Sequence, residues 1–300
     1  MKKFRYIWAA AMVAAAMVAV ALVSCSKDDE TPKPAPSPVP TPEALKTVGA
    51  QKTGDYTVRL QNTSGTFVMG YNELTLSVVD AHDKAVAVEA PTFVPWMEMF
   101  KGNGQGGFTE EVDFKHTCPH TPLTKEGGQW KAQALFQMMT GPSGRWFATL
   151  TFKVAGVEHK VERLTFEVKP QTNLALGKVN RFWLHGAKPQ THLYAIVAPA
   201  APKVGENEVV LGIWKMLSHE SFPVAEGLTV EVSLSEKGST ATLQKVTFAY
   251  ADGFYRGKLS YPKAGEYVLH YTLKNAQGNI VQPRDKANQA DVVIATEIKF

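Results

Sequence analysis

From Thr47 to the C-terminus the chain offers no amphipathic run long enough for a major helix, while short β-type runs recur throughout. That pattern restricts the folded part to an all-β architecture. Thr57–Leu60, Glu73–Val79, Trp130–Phe136, Trp146–Val154 and Val161–Val168 are rich in branched and aromatic residues. Several alternate: Leu74, Leu76 and Val78 point one way, with Glu73, Thr75 and Ser77 the other. Glycine-, proline- and asparagine-bearing turns separate them. With 44% hydrophobic and 10% aromatic residues the chain can bury real cores, so it is read as sandwich rather than βαβ.

The sequence also repeats. Gly70-Tyr71-Asn72-Glu73-Leu74-Thr75-Leu76 matches Gly205-Glu206-Asn207-Glu208-Val209-Val210-Leu211. Gly128-Gln129-Trp130 then matches Gly253-Phe254-Tyr255, and Gly144-Arg145-Trp146 matches Gly265-Glu266-Tyr267. Three matches in one order predict two tandem immunoglobulin-like β-sandwiches, 47–170 and 171–300, each of a size suited to such a fold.

What precedes them reads as an export and anchoring device. Residues 1–24 have the form of a lipoprotein signal peptide: Lys2, Lys3 and Arg5, then Ile7 to Val23, nearly all Ala, Val and Met. Leu22-Val23-Ser24-Cys25 resembles a bacterial lipobox, which implies cleavage before Cys25 and lipid on its thiol. Several acyl chains are needed for stable anchoring. Ser26 to Glu30 looks like the acidic tag of Bacteroidota surface lipoproteins; it also fits a plain solvated tether. Within 25–46, Thr31 to Pro42 carries proline at every second position, which forbids helix and sheet and gives a stiff spacer. The expected location is the outer membrane, lipid-anchored and facing the periplasm or the cell exterior. Removing the leader's three cations takes the formal net charge from +4 to about +1. A near-neutral chain is not expected to bind nucleic acid. Two cysteines exclude a disulfide scaffold.

The two units differ in length in an informative place. Gly70 to Gly128 spans 58 residues and Gly205 to Gly253 spans 48; Gly128 to Gly144 spans 16 and Gly253 to Gly265 spans 12. The longer stretches of the first unit hold Met97, Met99, His116, Cys118, His120, Met138 and Met139. Thioether, thiolate and imidazole are ligands for soft or borderline metals, and Cu(I) accepts all three. On an extended chain Met97 and Met99 share a face, as do His116, Cys118 and His120. Tracing alternating strands puts the two methionine pairs at one end of the sandwich. The same trace sends 115–120 to the other end unless 101–114 is a looped-out excursion. Each residue also has a plainer reading: core packing for the methionines beside Trp96, solvation for the histidines, burial for the cysteine.

These segments resemble the YtkA-like/FixH-like immunoglobulin-type domain of bacterial exported proteins. The resemblance rests on Gly70-Tyr71-Asn72, Met97-Glu98-Met99, His116 to Pro122, Gly128-Gln129-Trp130, Phe136-Gln137-Met138 and Gly144-Arg145-Trp146. It covers roughly 50–155, with the second unit as a degenerate copy. It implies periplasmic copper and respiratory-oxidase contexts, with Met97, Met99, His116 or His120, and Met138 on the family's Met/His positions.

Other signals are set aside. Gly102 to Gly107 satisfies G-x-G-x-x-G, but a nucleotide site needs a helix after it, so it reads as a hairpin tip. Asp80 to Lys84 reads as a turn. His82, His185, His192 and His219 read as solvated. No G-x-S-x-G, S-x-x-K or H-E-x-x-H occurs. The expected function is therefore non-catalytic: capture of a transition metal, Cu(I) as the cofactor, by the first unit. Besides the membrane, an envelope protein is an expected partner. The alternative is a surface module in which Trp96, Phe100 and the glycine-rich loop contact a protein or glycan, with the methionines as core. An accessory subunit of a membrane complex is a third class.

Overall fold

The computed structural model describes residues 44–184, 190–281, 283–284 and 290–300. The leader, Cys25, the proline spacer and His185 lie outside the described residues. All regular elements among the described residues are strands. Glu43–Phe300 forms one compact unit containing two β-sandwiches in tandem.

The first sandwich comprises β1 (Lys46–Thr53), β2 (Tyr56–Asn62), β3 (Phe67–Val68), β4 (Gly70–Val79), β5 (Glu89–Gly102), β6 (Phe108–His116), β7 (Thr124–Glu126), β8 (Gln129–Phe136), β9 (Gly144–Val154), β10 (Val157–Phe166) and β11 (Val168–Lys169). One sheet has the order β1-β2-β4-β8-β7 and the other β10-β9-β5-β6, with β3 and β11 as a short parallel pair. The second comprises β12 (Asn180–Leu184), β13 (Gln190–Ala198), β14 (Gly205–Met216), β15 (Thr229–Glu236), β16 (Thr242–Ala251), β17 (Phe254–Tyr261), β18 (Glu266–Lys274), β19 (Pro283–Arg284) and β20 (Ile294–Lys299). Its strands run β19-β12-β13-β14-β17-β16-β15-β18-β20. The order is continuous because β16 pairs with β15 through its first part and with β17 through Ala249–Ala251.

The two sandwiches share one connectivity. In the first, β4 lies between β2 and β8, and β5 between β9 and β6; in the second, β14 lies between β13 and β17, and β15 between β18 and β16. The register matches as well. Leu76 faces Trp130 and Gly70 faces Phe136; Leu211 faces Tyr255 and Gly205 faces Tyr261. The repeated Gly-x-Asn has a physical cause. Gly70 and Gly205 enter their strands with φ of 109° and 93°, where glycine is favoured. The Asn72 amide then binds the backbone on both sides: Nδ2 donates to the carbonyls of Val68 (2.7 Å) and Gly70 (2.8 Å), and Oδ1 accepts from the Val68 N–H. Asn207 makes the same three bonds with Lys203 and Gly205. Gly128 and Gly253 are both at φ 83° in the turn before the aromatic-led strand.

Inward residues of each sandwich form separate cores. Phe67, Phe136, Trp146, Phe152 and Leu150 anchor the first, and Tyr255, Tyr261, Tyr267 and Leu269 the second. Phe136 and Trp146 stack edge-on at 4.9 Å; Tyr261 and Tyr267, at the matching positions, lie 5.1 Å apart. A third cluster, Leu135, Leu193, Ala195 and Trp214, is buried where the sandwiches meet, flanked by Tyr71, Phe222 and Phe254.

Candidate metal centre

The candidate centre is built on β5, which carries Met97 and Met99, on β6, which ends in His116, and on β9, which carries Trp146. Met97 is directly opposite His116 on β6 and opposite Trp146 on β9. Directly opposed residues of an antiparallel pair project to the same side, so all three point into the first core. Met97 and Trp146 are 0% exposed and His116 is buried. The His116 ring meets the Trp146 ring edge-on at 5.8 Å. Two residues on, Met99 faces Phe114 and Gly144 and packs half-buried on the same core. The β8–β9 connection closes the end: the Trp146 indole N–H donates to the Met138 carbonyl (2.9 Å), and the Phe100 N–H donates to the Ser143 carbonyl (2.9 Å). Met138 packs half-buried against the core, whereas Met139 is 48% exposed.

Segment 101–114 explains how the histidine reaches the methionines. It is neither a strand leading away nor an irregular loop. β5 and β6 form a hairpin whose tip, 103–107, is pinned by the Asn103 carboxamide oxygen accepting from the N–H groups of Gln105 and Gly107. The chain therefore returns antiparallel, and His116 comes to rest beside Met97. The glycine-rich motif is this tip.

Beyond His116 the alternation expected for His116, Cys118 and His120 does not hold. β6 ends at His116, and the chain crosses from one sheet to the other. The Pro119 carbonyl accepts from the Leu135 N–H, and His120 bridges to Ala134. Thr117, Cys118 and Pro119 are all buried in succession. His120 packs against Phe93, 6.2 Å between rings. Phe93 is four residues from Met97 along β5, on the order of 13 Å at strand rise. His120 instead borders a cleft of about 270 Å³ between the sandwiches, with Trp214, Phe222 and Phe254.

Electrostatics narrows the donor set further. Cys118 is 0% exposed, and burial pushes its thiol far above the ordinary range, so it stays protonated and is a poor ligand. His116 Nδ1 lies 2.8 Å from the Thr117 carbonyl, which can only accept; the proton is on Nδ1 and Nε2 carries the lone pair. Burial lowers the His116 pKa and keeps the ring neutral. Among the described residues, no three His, Cys, Asp or Glu side chains group as metal ligands. A metal here would have to take methionine sulfur. The residues gathered at this end are Met97, Met99, His116 and Met138. Neutral thioethers and a neutral imidazole are the donors a soft monovalent ion accepts, and a hard or divalent ion would find no charge to match.

Two supports for this end went unread in the sequence. Glu98, between the two methionines, faces the other side of β5, where Arg163 grips its carboxylate with two bonds (2.7 and 2.5 Å) and Lys115 adds a third at 3.1 Å. These cations hold its pKa down to about 2. Gly144 is the other: a Cβ there would strike the Glu98 carbonyl oxygen and lie 3.0 Å from Met97 Cε. The G-x-W spelling was the available signal. His192 departs from its solvated reading: it is buried, stacked on Phe182 at 4.9 Å. His219 is exposed, touches Phe114 and offers its carbonyl to the Thr117 N–H at 2.8 Å.

No family model and no curated protein matches the chain. Among solved structures it is similar to dimeric latent PorU from Porphyromonas gingivalis, at 8% identity and a TM-score of 0.26, covering 82% of this chain and 34% of that one. The chain thus spans about a third of that protein's length.

Proposed function

We propose that this chain is a non-catalytic lipoprotein, held to the outer membrane through Cys25, that binds Cu(I) at the Met97 end of its first sandwich. The observation that carries the reading is the direct opposition of Met97 and His116 against Trp146. Met97 and Met99 on β5, His116 on β6 and Met138 after β8 would hold the ion. A bound Cu(I) would be sequestered, without turnover. The chain's own residues supply the rest: Thr117 fixes the His116 tautomer, Trp146 walls off water, and Glu98 is already neutralised by Arg163 and Lys115. His120, Cys118 and Met139 fall outside this set. The second sandwich has neither methionine nor histidine at the matching place.

Native mass spectrometry after anaerobic Cu(I) loading tests this. One equivalent is expected to bind the natural chain, and Met97→Leu with Met99→Leu should lose it. Leucine conserves volume and apolarity, so folding should change by less than ~1.5 kcal/mol. Undiminished copper in the double variant would overturn the reading.

A further inference from the structure

The outer face of β4 and β8 carries a polar surface that the metal reading does not use. The two strands pair with no break in register, setting Glu73 opposite Gln133 and Thr75 opposite Lys131. Leu74, Leu76, Ala132 and Ala134 fill the core between the sheets, so Glu73, Thr75, Lys131, Gln133 and Tyr71 project to the other side. They line a cleft of about 540 Å³, walled on its far side by Leu176, Val197 and Ala200 of the second unit. That volume is within the range of small-molecule sites. The Tyr71 ring meets Phe254 edge-on at 6.1 Å and borders both this cleft and the smaller one beside Trp214.

The polar groups of this cleft are left open. Thr75 is 7% exposed, yet its hydroxyl has no hydrogen-bond partner among the described residues. A hydroxyl held so far from bulk water is costly unless another group satisfies it. The Gln133 carboxamide has no partner among the described residues either. Glu73 has no ion pair among them, and its carboxylate receives only the Tyr71 hydroxyl, at 3.5 Å. Lys131 is neutralised by Glu126 at 3.6 Å. The second sandwich shows that the frame does not require this arrangement. On β14 and β17, Val210 stands at the place of Thr75, Lys258 at that of Gln133 and Glu206 at that of Tyr71. There Lys258 pairs with Glu206 at 2.8 Å.

We propose that the cleft binds a neutral oligosaccharide. Sugar hydroxyls donate and accept hydrogen bonds, as the Thr75 hydroxyl and the Gln133 carboxamide do. The Glu73 carboxylate accepts from two hydroxyls, and the C–H face of a sugar ring meets the electron-rich face of Tyr71. An anionic ligand would meet the uncompensated Glu73. A peptide strand would find no open ladder, because β4 and β8 each have a paired strand on both sides. None of these side chains belongs to the metal reading, so either proposal can fail without the other.

The test is isothermal titration calorimetry of the purified full chain with maltohexaose, cellohexaose, xylohexaose and mannohexaose, with tetragalacturonate and tetralysine as charged comparisons. Saturable binding of at least one neutral saccharide is expected, and none of tetragalacturonate. Glu73→Gln and Gln133→Ala should each weaken that binding at least tenfold, and Thr75→Val at least fivefold. Thr75→Val keeps the shape and removes an unpartnered hydroxyl, so its melting temperature should stay level or rise, which separates lost binding from lost folding. Glu208→Gln, the substitution matching Glu73→Gln in the second sandwich, should leave binding unchanged. Failure of all four neutral saccharides, equal binding of tetragalacturonate, binding of tetralysine alone, or undiminished binding in Thr75→Val and Gln133→Ala would overturn the proposal.

Discussion

The two sandwiches are the same machine closed in two ways. In the second, one strand, β16, leaves β15 and joins β17 without interruption, stitching the two sheets at their edge. In the first, the corresponding strand is cut into β6 and β7, and 117–123 crosses between the sheets, buried from Thr117 to Pro119. The hairpin feeding that crossing is lengthened, and the connection after β8 is longer too. All the soft side chains of interest lie in these additions or at their roots. The shared frame, by contrast, is held in both copies by the same devices: an asparagine that caps the strand entry, a left-handed glycine before the aromatic strand, and an aromatic pair in the core. The difference teaches where freedom exists. A sandwich tolerates new chemistry in its hairpin and crossover connections, because these can be lengthened without disturbing the shared ladder.

The sharpest way to break the comparison is at the third repeated glycine, where the same letter has two unequal reasons. At Gly144 a methyl group meets the Glu98 carbonyl oxygen and Met97; at Gly265 the nearest atom is Tyr267 Cε2 at 3.8 Å. Gly144→Ala is expected to cost about 1–3 kcal/mol through overpacking, and Gly265→Ala less than ~0.5 kcal/mol. Urea unfolding followed by tryptophan and tyrosine fluorescence measures both. Equal losses would mean that the close approach of β9 to β5 is not what fixes Gly144.

The frame was legible because it obeys periods. Alternation at Leu74, Leu76 and Val78 marked a half-buried strand, and Gly-x-Asn recurred because its backbone bonds recur. The site was only partly legible. Residue type and clustering drew attention to Met97, Met99, His116 and Met138, but the pairing of His116 with Met97 depends on a hairpin whose return register no local pattern states. The Cys118 and His120 expectation failed on a strand boundary: period-two spacing holds only while the chain remains a strand, and it stops at His116. His192 was missed because a lone histidine just after Gly186 and Pro189, in a stretch that reads as linker, carries no sign of the Phe182 ring that stacks on it. Glu98 was hidden for another reason. Its partner Arg163 is 65 positions away, and only the sheet order brings β10 within reach of β5.

Glu98 offers the next test, since the second sandwich has no strand left at that point to carry its equivalent. Its pKa is held at about 2 against an ordinary 4.5, by hydrogen bonds from Arg163 and then Lys115. A carboxylate with a depressed folded pKa contributes stability that is complete above pH 4.5 and is lost as the pH falls from there through about 2. Both cationic partners are substantially exposed, so solvent screens the network. Glu98→Gln should then cost about 1–2 kcal/mol at neutral pH. The gap between variant and natural chain should close when the melts are repeated near pH 2. A cost that persists unchanged in acid would assign the loss to packing at this buried position instead of to charge.

The smallest expected effect lies at milder pH and involves both sandwiches. Burial lowers the pKa of His116 and His120 in the first and of His192 in the second. Each has Nδ1 within hydrogen-bond distance of a backbone carbonyl, from Thr117, Cys118 and Gln190, so each is held as the neutral ring with its proton on Nδ1. The unfolded chain protonates these rings near pH 6.5 while the folded chain resists. Between those two points the unfolded state binds more protons, and stability falls as the pH drops through 6.5. The melting temperature should therefore decline between pH 7.5 and pH 5.5, before any carboxylate effect begins. His192→Phe preserves a flat ring against Phe182 and removes one of the three titrating groups. Its melting temperature should fall less steeply over that interval than that of the natural chain. An identical slope would show that His192 takes up its proton without opening the second sandwich, and would leave the acid response to the crossover of the first.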